Sequence, residues 1–219
     1  MIIAFANQKG GVGKTTLCML FANYLVKKGA NVLVVDVDMQ KSIKAQRISD
    51  SEAFTEQEEE YNVEVGNIDT LEDATALVNT CKQLDGVVLL DTPGNITEDG
   101  LLPIFQNADY IICPYQYERK CLESTGVFMK VIEKLKAMDK SMKSQTFYVP
   151  NNIDSRYGKK EEKELWNQTD EIFNRFGLVT PIIPYKASLK RVNTYYLSDA
   201  QEMDVKACFD YIIEKGKIL

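Results

Sequence analysis

The chain has 219 residues, of which 45% are hydrophobic and 26% are charged, and its formal net charge at pH 7 is −6. This composition is typical of a soluble globular protein and excludes a disordered or fibrous chain. Histidine is absent, which excludes serine–histidine hydrolases and leaves Asp, Glu, Lys or ordered water as general acids and bases.

The sequence also lacks the marks of membrane proteins and disulfide-rich proteins. No apolar run approaches the roughly 20 residues needed to cross a bilayer, and the N-terminus has neither a basic region nor a cleavage site. The five cysteines are scattered, with no C-x-x-C pair. We therefore expect a cytoplasmic protein without disulfides or metal clusters.

Short apolar runs alternate with longer helical patterns along the chain, which predicts an α/β fold with helices on both faces of a mostly parallel sheet. The predicted strands are residues 2–6, 32–35, 87–90, 110–113, 146–149 and 181–183. A first helix is predicted to follow a glycine-rich turn and to end near Gly29, and further helices are predicted at 71–84, 101–108, 122–138, 161–176 and 204–215. The pattern fits one doubly wound domain over residues 1–219.

One stretch of the chain differs from the rest in composition. Residues 50–60 include six acidic side chains and no basic one. We interpret this stretch as a solvated loop, with an interaction site as the alternative.

The segment from Lys9 to Thr16 reads Lys-Gly-Gly-Val-Gly-Lys-Thr-Thr and lies between a predicted strand and a predicted helix. Glycines let successive backbone N–H groups curl around a phosphate, and the helix N-terminus adds its positive dipole end. Lys14 is predicted to hold the β- and γ-phosphates, Thr15 to ligate Mg²⁺ and Thr16 to contact the α-phosphate. The predicted nucleotide-binding residues of this phosphate loop are Gly10, Gly11, Val12, Gly13, Lys14, Thr15 and Thr16.

The phosphate loop departs from the standard motif in one respect, because Gln8 stands where glycine is usual and Lys9 follows it. With this change the sequence resembles the ParA/MinD family of deviant Walker A ATPases over nearly the whole chain. The resemblance implies ATP as the nucleotide and a sandwich homodimer in which Lys9, at the signature position, reaches the partner's phosphates. It also implies that the chain lacks the N-terminal helix-turn-helix domain of longer relatives, because the phosphate loop starts so early.

Two aspartates follow the second predicted strand, in the segment Val-Val-Asp-Val-Asp-Met-Gln that ends at Gln40. The segment resembles the family's switch I, which implies that Asp38 helps to place Mg²⁺ and the attacking water. Asp36 would share its face of the strand, and a purely structural role as a loop cap is the alternative. Met39 departs from the proline that is frequent in the family.

Residues 87–94 form an apolar run that ends in Asp-Thr-Pro-Gly, which matches a Walker B strand followed by a switch II loop. Asp91 is predicted to hold Mg²⁺ through water. By family analogy, the backbone of Gly94 would approach the γ-phosphate.

The adenine contacts are predicted from two positions that also rest on the resemblance. Asn151 follows a predicted strand and carries both a donor and an acceptor, and Pro184 occupies the second family position near the base. The Asn-Lys-x-Asp signature of GTPases is absent, since residues 151–154 read Asn-Asn-Ile-Asp.

The cellular role of the ATPase is predicted from a group of basic residues near the C-terminus together with the family resemblance. Lys186, Lys190 and Arg191 cluster after Pro184, and the resemblance implies nonspecific DNA binding, slow hydrolysis as a switch in DNA partition, and a ParB-like stimulating partner. Lysines on a solvated loop are the alternative.

A MinD-like membrane role is disfavoured, because the polar face of the helix near 204–215 is acidic and its apolar face suits core packing. A biosynthetic ligase of the same superfamily stays open, as does a MinD-like positioning ATPase.

Overall fold

The computed structural model describes residues 1–95, 100–154, 156 and 159–219 of the chain. Its strands are β1 (Ile2–Phe5), β2 (Val32–Asp36), β3 (Asn62–Val65), β4 (Val87–Asp91), β5 (Tyr110–Tyr115), β6 (Gln145–Pro150) and β7 (Leu178–Val179). They form one parallel sheet in the order β3-β2-β4-β1-β5-β6-β7. The central strand β1 therefore lies between β4 and β5, and the carboxyl ends of all strands point to one edge.

Helices cover both faces of the sheet, because alternate strand residues point to opposite sides. The helices are α1 (Lys14–Lys27), α2 (Ser42–Ala53), α3 (Leu71–Lys82), α4 (Leu101–Asn107), α5 (Arg119–Met138), α6 (Lys160–Phe173) and α7 (Asp199–Gly216), with a 3₁₀ helix at Ser188–Lys190. Ile3 and Phe5 pack with α1 and α7 in one core, whereas Ile2 and Ala4 pack with α3, α4 and α5 in the other.

The doubly wound α/β architecture predicted from the sequence is confirmed, and so is the burial of α7. The apolar face of that helix packs into the first core through Val205, Cys208, Phe209 and Ile212. Within the described part of the chain, no helix combines the length and the apolar character that a membrane span requires.

Three elements differ from the prediction. Helix α2 and the edge strand β3 were not predicted, and β7 lies at Leu178–Val179 instead of 181–183. Pro181 has no N–H to donate to a ladder, so regular pairing with β6 ends at Val179, although Ile183 still donates to the carbonyl of Pro150.

The acidic stretch is only partly the solvated loop that its composition suggested. Its first residues belong to α2, and the side chain of Asp50 is buried. Glu59 forms an ion pair with Arg47 at 2.8 Å. The prediction of a solvated loop is therefore wrong for residues 50–53.

Candidate functional site

The candidate site lies at the carboxyl edge of the sheet, where the loops after β1, β2, β4 and β6 converge. In open α/β sheets this edge is where ligands bind. The phosphate loop joins β1 to α1, and residues 92–94 follow β4. The topology therefore brings together the segments that the sequence singled out separately.

Asn7 fixes the start of the phosphate loop. It is fully buried, and its Nδ2 donates to the carbonyl of Pro114 at 2.7 Å and to Oγ1 of Thr125 at 3.0 Å. Its Oδ1 accepts from the backbone N–H of Lys9 at 3.0 Å. Sequence analysis did not single out Asn7, although a polar side chain at the end of a buried strand is a usable signal.

Gly13 and Asn151 fit together at the other end of the loop. Gly13 has a φ of +100°, and a Cβ there would lie 2.3 Å from Nδ2 of Asn151. That Nδ2 donates to the carbonyl of Val12 at 2.7 Å, inside the protein. Asn151 therefore holds the phosphate loop in shape, a role beyond the adenine contact that was predicted for it.

Lys14 and Asp91 form the buried charged centre of the site. Burial lowers the pKa of Lys14, against the opposing effects of Asp91 and Asp38. Burial also raises the pKa of Asp91 to about 7, against the effects of Thr15 and Lys14. Both carboxylate oxygens of Asp91 are buried without a hydrogen-bond partner among the described residues, so Thr15 lies near the carboxylate but outside hydrogen-bond geometry.

This donor set fits a hard divalent cation. Mg²⁺ prefers oxygen ligands, usually one or two protein oxygens with waters and phosphate oxygens. A buried carboxylate with two unpartnered oxygens is costly unless it meets a cation. Asp91, the nearby Thr15 hydroxyl and Asp38 are the described residues that could hold Mg²⁺.

The two aspartates after β2 have different surroundings. Asp36 is fully buried, and its Oδ2 accepts from the backbone N–H groups of Ile43 at 2.8 Å and Lys44 at 3.2 Å. It thus caps the N-terminus of α2, and its pKa is raised by burial against these backbone hydrogen bonds. Asp38 is partly exposed and lies close enough to Lys14 and Asp91 to affect the pKa of each.

Gly94 and Lys9 flank the phosphate loop. A Cβ at Gly94 would lie 3.5 Å from Nζ of Lys14 and 3.8 Å from the backbone nitrogen of Gly10, so the loop after β4 directly contacts the phosphate loop. Lys9 is partly exposed, and among the described residues its ammonium group has neither an ion pair nor a hydrogen bond. A lysine in this state is free to reach a charged group outside its own chain.

A cavity of about 260 Å³ adjoins the first turn of α1. Apolar side chains of α1 and of the segment after β7 form much of its wall, and Asn151 supplies amide groups. Pro184 does not line it but contributes to a separate surface cavity with Lys186 and Ile153. The lining residues are Gly11, Gly13, Thr16, Leu17, Leu20, Asn151, Asn152, Ile183, Leu189 and Lys190.

The basic side chains after Pro184 do not form one uniform group. Lys186, Lys190 and Arg191 are all exposed. Lys190, however, lies over the ring of Tyr185, 4.3 Å from its centroid, and also lines the cavity beside α1. Lys186 and Arg191 do not line that cavity.

A buried polar cluster that was not predicted connects helix α2 to the segment after β7. Arg47 donates to the carbonyls of Tyr61 and Thr194, each at 2.9 Å, and Asp50 accepts from the N–H of Thr194 at 2.7 Å. We call Arg47, Asp50 and Thr194 the α2 clamp. Its only sequence signal is the spacing of Ile43, Arg47 and Asp50, which places them on one helical face.

Comparison with known proteins gives a family match over most of the chain. The model for the CobQ/CobB/MinD/ParA nucleotide-binding domain matches residues 3–195. The chain is also 60% identical over 38 residues to the chromosome-partitioning ATPase Soj of Thermus thermophilus. That alignment covers 17% of this chain and 15% of Soj, so it spans far less than the whole relative.

Solved structures share the fold at low sequence identity. The structure of a plasmid partition protein from Borrelia burgdorferi is 18% identical in sequence to this chain and superposes with a TM-score of 0.68. That match covers 98% of each of the two chains. Cobyrinic acid a,c-diamide synthase from Mycobacterium smegmatis, solved with an ATP analogue and magnesium, is 23% identical with a TM-score of 0.66. The match to the synthase covers 96% of this chain and 91% of that one.

Proposed function

The chain belongs to the CobQ/CobB/MinD/ParA nucleotide-binding domain family, and on this premise we propose that it is a Mg-ATP-dependent ATPase of the partition type. One observation carries the proposal. The carboxylate of Asp91 is buried beside Lys14 at the start of α1, and neither of its oxygens has a hydrogen-bond partner in the part of the chain that the structure describes. This pairing suits a metal–triphosphate ligand and has no evident structural use.

The residues at the site have distinct roles in the proposal. Backbone N–H groups of the phosphate loop and the ammonium of Lys14 bind the phosphates, while Thr15, Asp38 and Asp91 hold Mg²⁺. When bound, Mg²⁺ neutralises charge on the β- and γ-phosphates. The small cavity beside α1 accepts the base, where Asn151 can contact adenine. Pro184 does not line this cavity and could approach only a part of the base that protrudes from it.

Hydrolysis and dimerisation are proposed to depend on Asp38 and Lys9. Asp38 orients the attacking water from the loop after β2, a positioning role that phosphoryl transfer requires. Lys9, with no partner in its own chain among the described residues, is proposed to reach the phosphates of a second copy. Its charge would stabilise the transition state there.

In the cell, we propose that the ATP-bound dimer binds DNA nonspecifically through Lys186, Lys190 and Arg191 and serves in DNA segregation in the cytoplasm. A ParB-like partner would stimulate slow hydrolysis and release the dimer. A chain with a net charge of −6 must bind DNA through a local patch, so binding should weaken steeply with salt. Residues 1–219 are proposed to act as a single P-loop domain.

The direct test is the mass in solution by light scattering, with ADP and with Mg-ATP. We expect the hydrolysis-impaired Asp38→Ala variant to change from monomer to dimer with Mg-ATP. The Asp38→Ala/Lys9→Ala double variant should stay monomeric, because the charge that reaches the partner's phosphates is lost. Asp38→Ala/Lys130→Ala, which removes an exposed lysine of α5, is the matched control and should dimerise. A mass that does not respond to saturating Mg-ATP would remove the basis of the dimer model.

The fold likeness to cobyrinic acid a,c-diamide synthase favours a second candidate, a ligase that uses ATP to activate a small carboxylate. Cosedimentation with DNA separates the two functions. If the protein is a partition ATPase, its binding to DNA should require ATP and weaken as salt is raised. The Lys186→Ala/Arg191→Ala variant should bind DNA less. The ligase predicts no binding even at low salt.

A further inference from the structure

Two cavities meet at the phosphate loop and share part of their walls. The smaller, of about 260 Å³, lies beside α1. The larger, of about 630 Å³, lies toward Tyr117 and Trp166. Gly11, Asn152 and Lys190 line both. Asn152 has a φ of +59°, a conformation that non-glycine residues adopt sparingly and that is frequent at binding sites.

Lys190 is held at this boundary by its own short 3₁₀ helix. Nε2 of Gln201, in the first turn of α7, donates to the carbonyls of Ser188 at 3.0 Å and Arg191 at 3.2 Å. Leu189, between them, is buried in the first core. The backbone that carries Lys190 is therefore fixed from both sides, so the side chain starts from a defined position beside the cavity.

No carboxylate among the described residues neutralises the charge of Lys190. Its Nζ donates to the hydroxyl of Tyr185 at 3.1 Å and lies over that ring. By contrast, the nearby Arg156 is paired with Asp154 at 2.7 Å. An unpaired cation at the mouth of a cavity next to a phosphate loop suits an anionic ligand.

We propose that Lys190 is a nucleotide-binding residue. Its ammonium group moves away from the hydroxyl of Tyr185 and donates to an acceptor atom of the bound nucleotide. The inference rests on the proposed function and refines it, because it assigns Lys190 to the nucleotide and leaves Lys186 and Arg191 for DNA.

The test is the affinity of the full-length protein for a fluorescent ATP analogue with Mg²⁺, measured by titration without DNA. We expect Lys190→Ala to raise Kd about tenfold, the loss typical of one charge-assisted hydrogen bond. Lys190→Arg should restore most of the affinity. Lys130→Ala, which removes an exposed lysine of α5, is the matched control and should stay within about twofold of wild type.

The outcomes separate the two proposals. If wild type binds the analogue and Lys190→Ala binds equally well, the assignment of Lys190 is wrong while the ATPase proposal stands. The same holds if Lys190→Ala weakens only DNA binding at saturating nucleotide. If wild type itself does not bind the analogue, the proposed function fails and this inference fails with it. Far-ultraviolet circular dichroism of each variant excludes unfolding as the cause of lost affinity.

Discussion

At the scale of single residues, the ionised form of Asp91 destabilises the metal-free fold, because its carboxylate is buried. Its carboxylate is 1% exposed, and burial raises its pKa from 3.8 to about 7. In the absence of metal, the folded chain binds more protons than the unfolded chain between these two values. The stability of the metal-free protein should therefore fall as pH rises through this interval, by roughly 4 kcal/mol at most.

Asp91→Asn should remove this pH dependence. An amide cannot ionise, so the fall in melting temperature between about pH 5 and pH 8 should become shallower than in wild type. The measurement is thermal denaturation followed by circular dichroism in buffers that contain EDTA. Asp85→Asn, at an exposed position, is the control and should keep the wild-type slope. Equal slopes for Asp91→Asn and wild type would contradict the burial argument.

Gly13→Ala should destabilise the nucleotide-free protein. The left-handed conformation costs an L-residue roughly 1–2 kcal/mol. The new methyl group would also lie only 2.3 Å from Nδ2 of Asn151, so the amide of Asn151 would have to move away. We expect the free energy of unfolding in urea to fall by about 2–3 kcal/mol in total. At Gly10 a Cβ meets nothing within 4 Å, so Gly10→Ala should change little. Equal urea midpoints for the two variants would count against a tight fit of Gly13 to Asn151.

At the scale of elements, α2 is unusual because its buried face is largely polar. Its buried residues are Ile43, Arg47 and Asp50, and Asp36 caps its start from the preceding strand. The helix is therefore held by hydrogen bonds at both ends instead of by an apolar stripe. Through the α2 clamp it links the loop that carries Asp38 to the segment that carries Lys190.

Arg47→Met should be strongly destabilising. The substitution leaves the carbonyls of Tyr61 and Thr194 without a donor and breaks the ion pair with Glu59. We expect the free energy of unfolding to fall by about 3–5 kcal/mol, the typical effect of breaking a buried charged network. Chemical denaturation measures it, with Glu52→Ala on the exposed side of α2 as control. A loss below about 1 kcal/mol would mean that the clamp is dispensable.

The same polar face explains which elements could be predicted from the sequence. Helix α1 and strands β1, β2 and β4 carry continuous or periodic apolar residues, so pattern alone located them. Helix α2 has no such pattern, and the edge strand β3 buries only one residue, Val63. Their positions follow from long-range contacts, such as those of Arg47 with Thr194, which no local pattern encodes.

Site residues were predictable for the same reason where the motif is local. The phosphate loop, Asp38 and Asp91 each follow a strand with a recognisable ending, and the parallel sheet brings them together. The bond from Asn151 to Val12 could not be anticipated, because the two residues are 139 positions apart. The different surroundings of Lys190 and Lys186 depend on the course of the chain after β7. That course could not be predicted, because the last strand was predicted at 181–183 instead of Leu178–Val179.

At the scale of the whole molecule, one sheet separates two cores, and both depend on it. The first core includes the aromatic group of Phe21, Tyr24 and Phe209, in which Phe209 lies 4.9 Å from Phe21 and 5.4 Å from Tyr24, centroid to centroid. The second core continues from β5 and β6 to α6 through Tyr115, Tyr148 and Phe173. Because β1, β2, β4, β5 and β6 each contribute buried residues to both cores, loss of either core should expose the other.

Unfolding should therefore be a single cooperative transition, as expected for one domain. Trp166 is the only tryptophan in the chain and stacks on Tyr117 at 4.6 Å, so its emission reports on α6. Its denaturation curve should coincide with the curve from far-ultraviolet circular dichroism, which reports on all helices. A tryptophan transition at clearly lower denaturant would show that α6 unfolds separately.

The five cysteines are distributed over α1, α3, β5, α5 and α7, and every one is buried. Burial also raises the pKa of each thiol, which keeps it in its unreactive protonated form. A thiol reagent should thus modify the folded protein only through transient opening, and the modified positions would map where the chain opens. A single cysteine introduced on the surface could in turn carry a fluorescent dye selectively, with all native cysteines left in place.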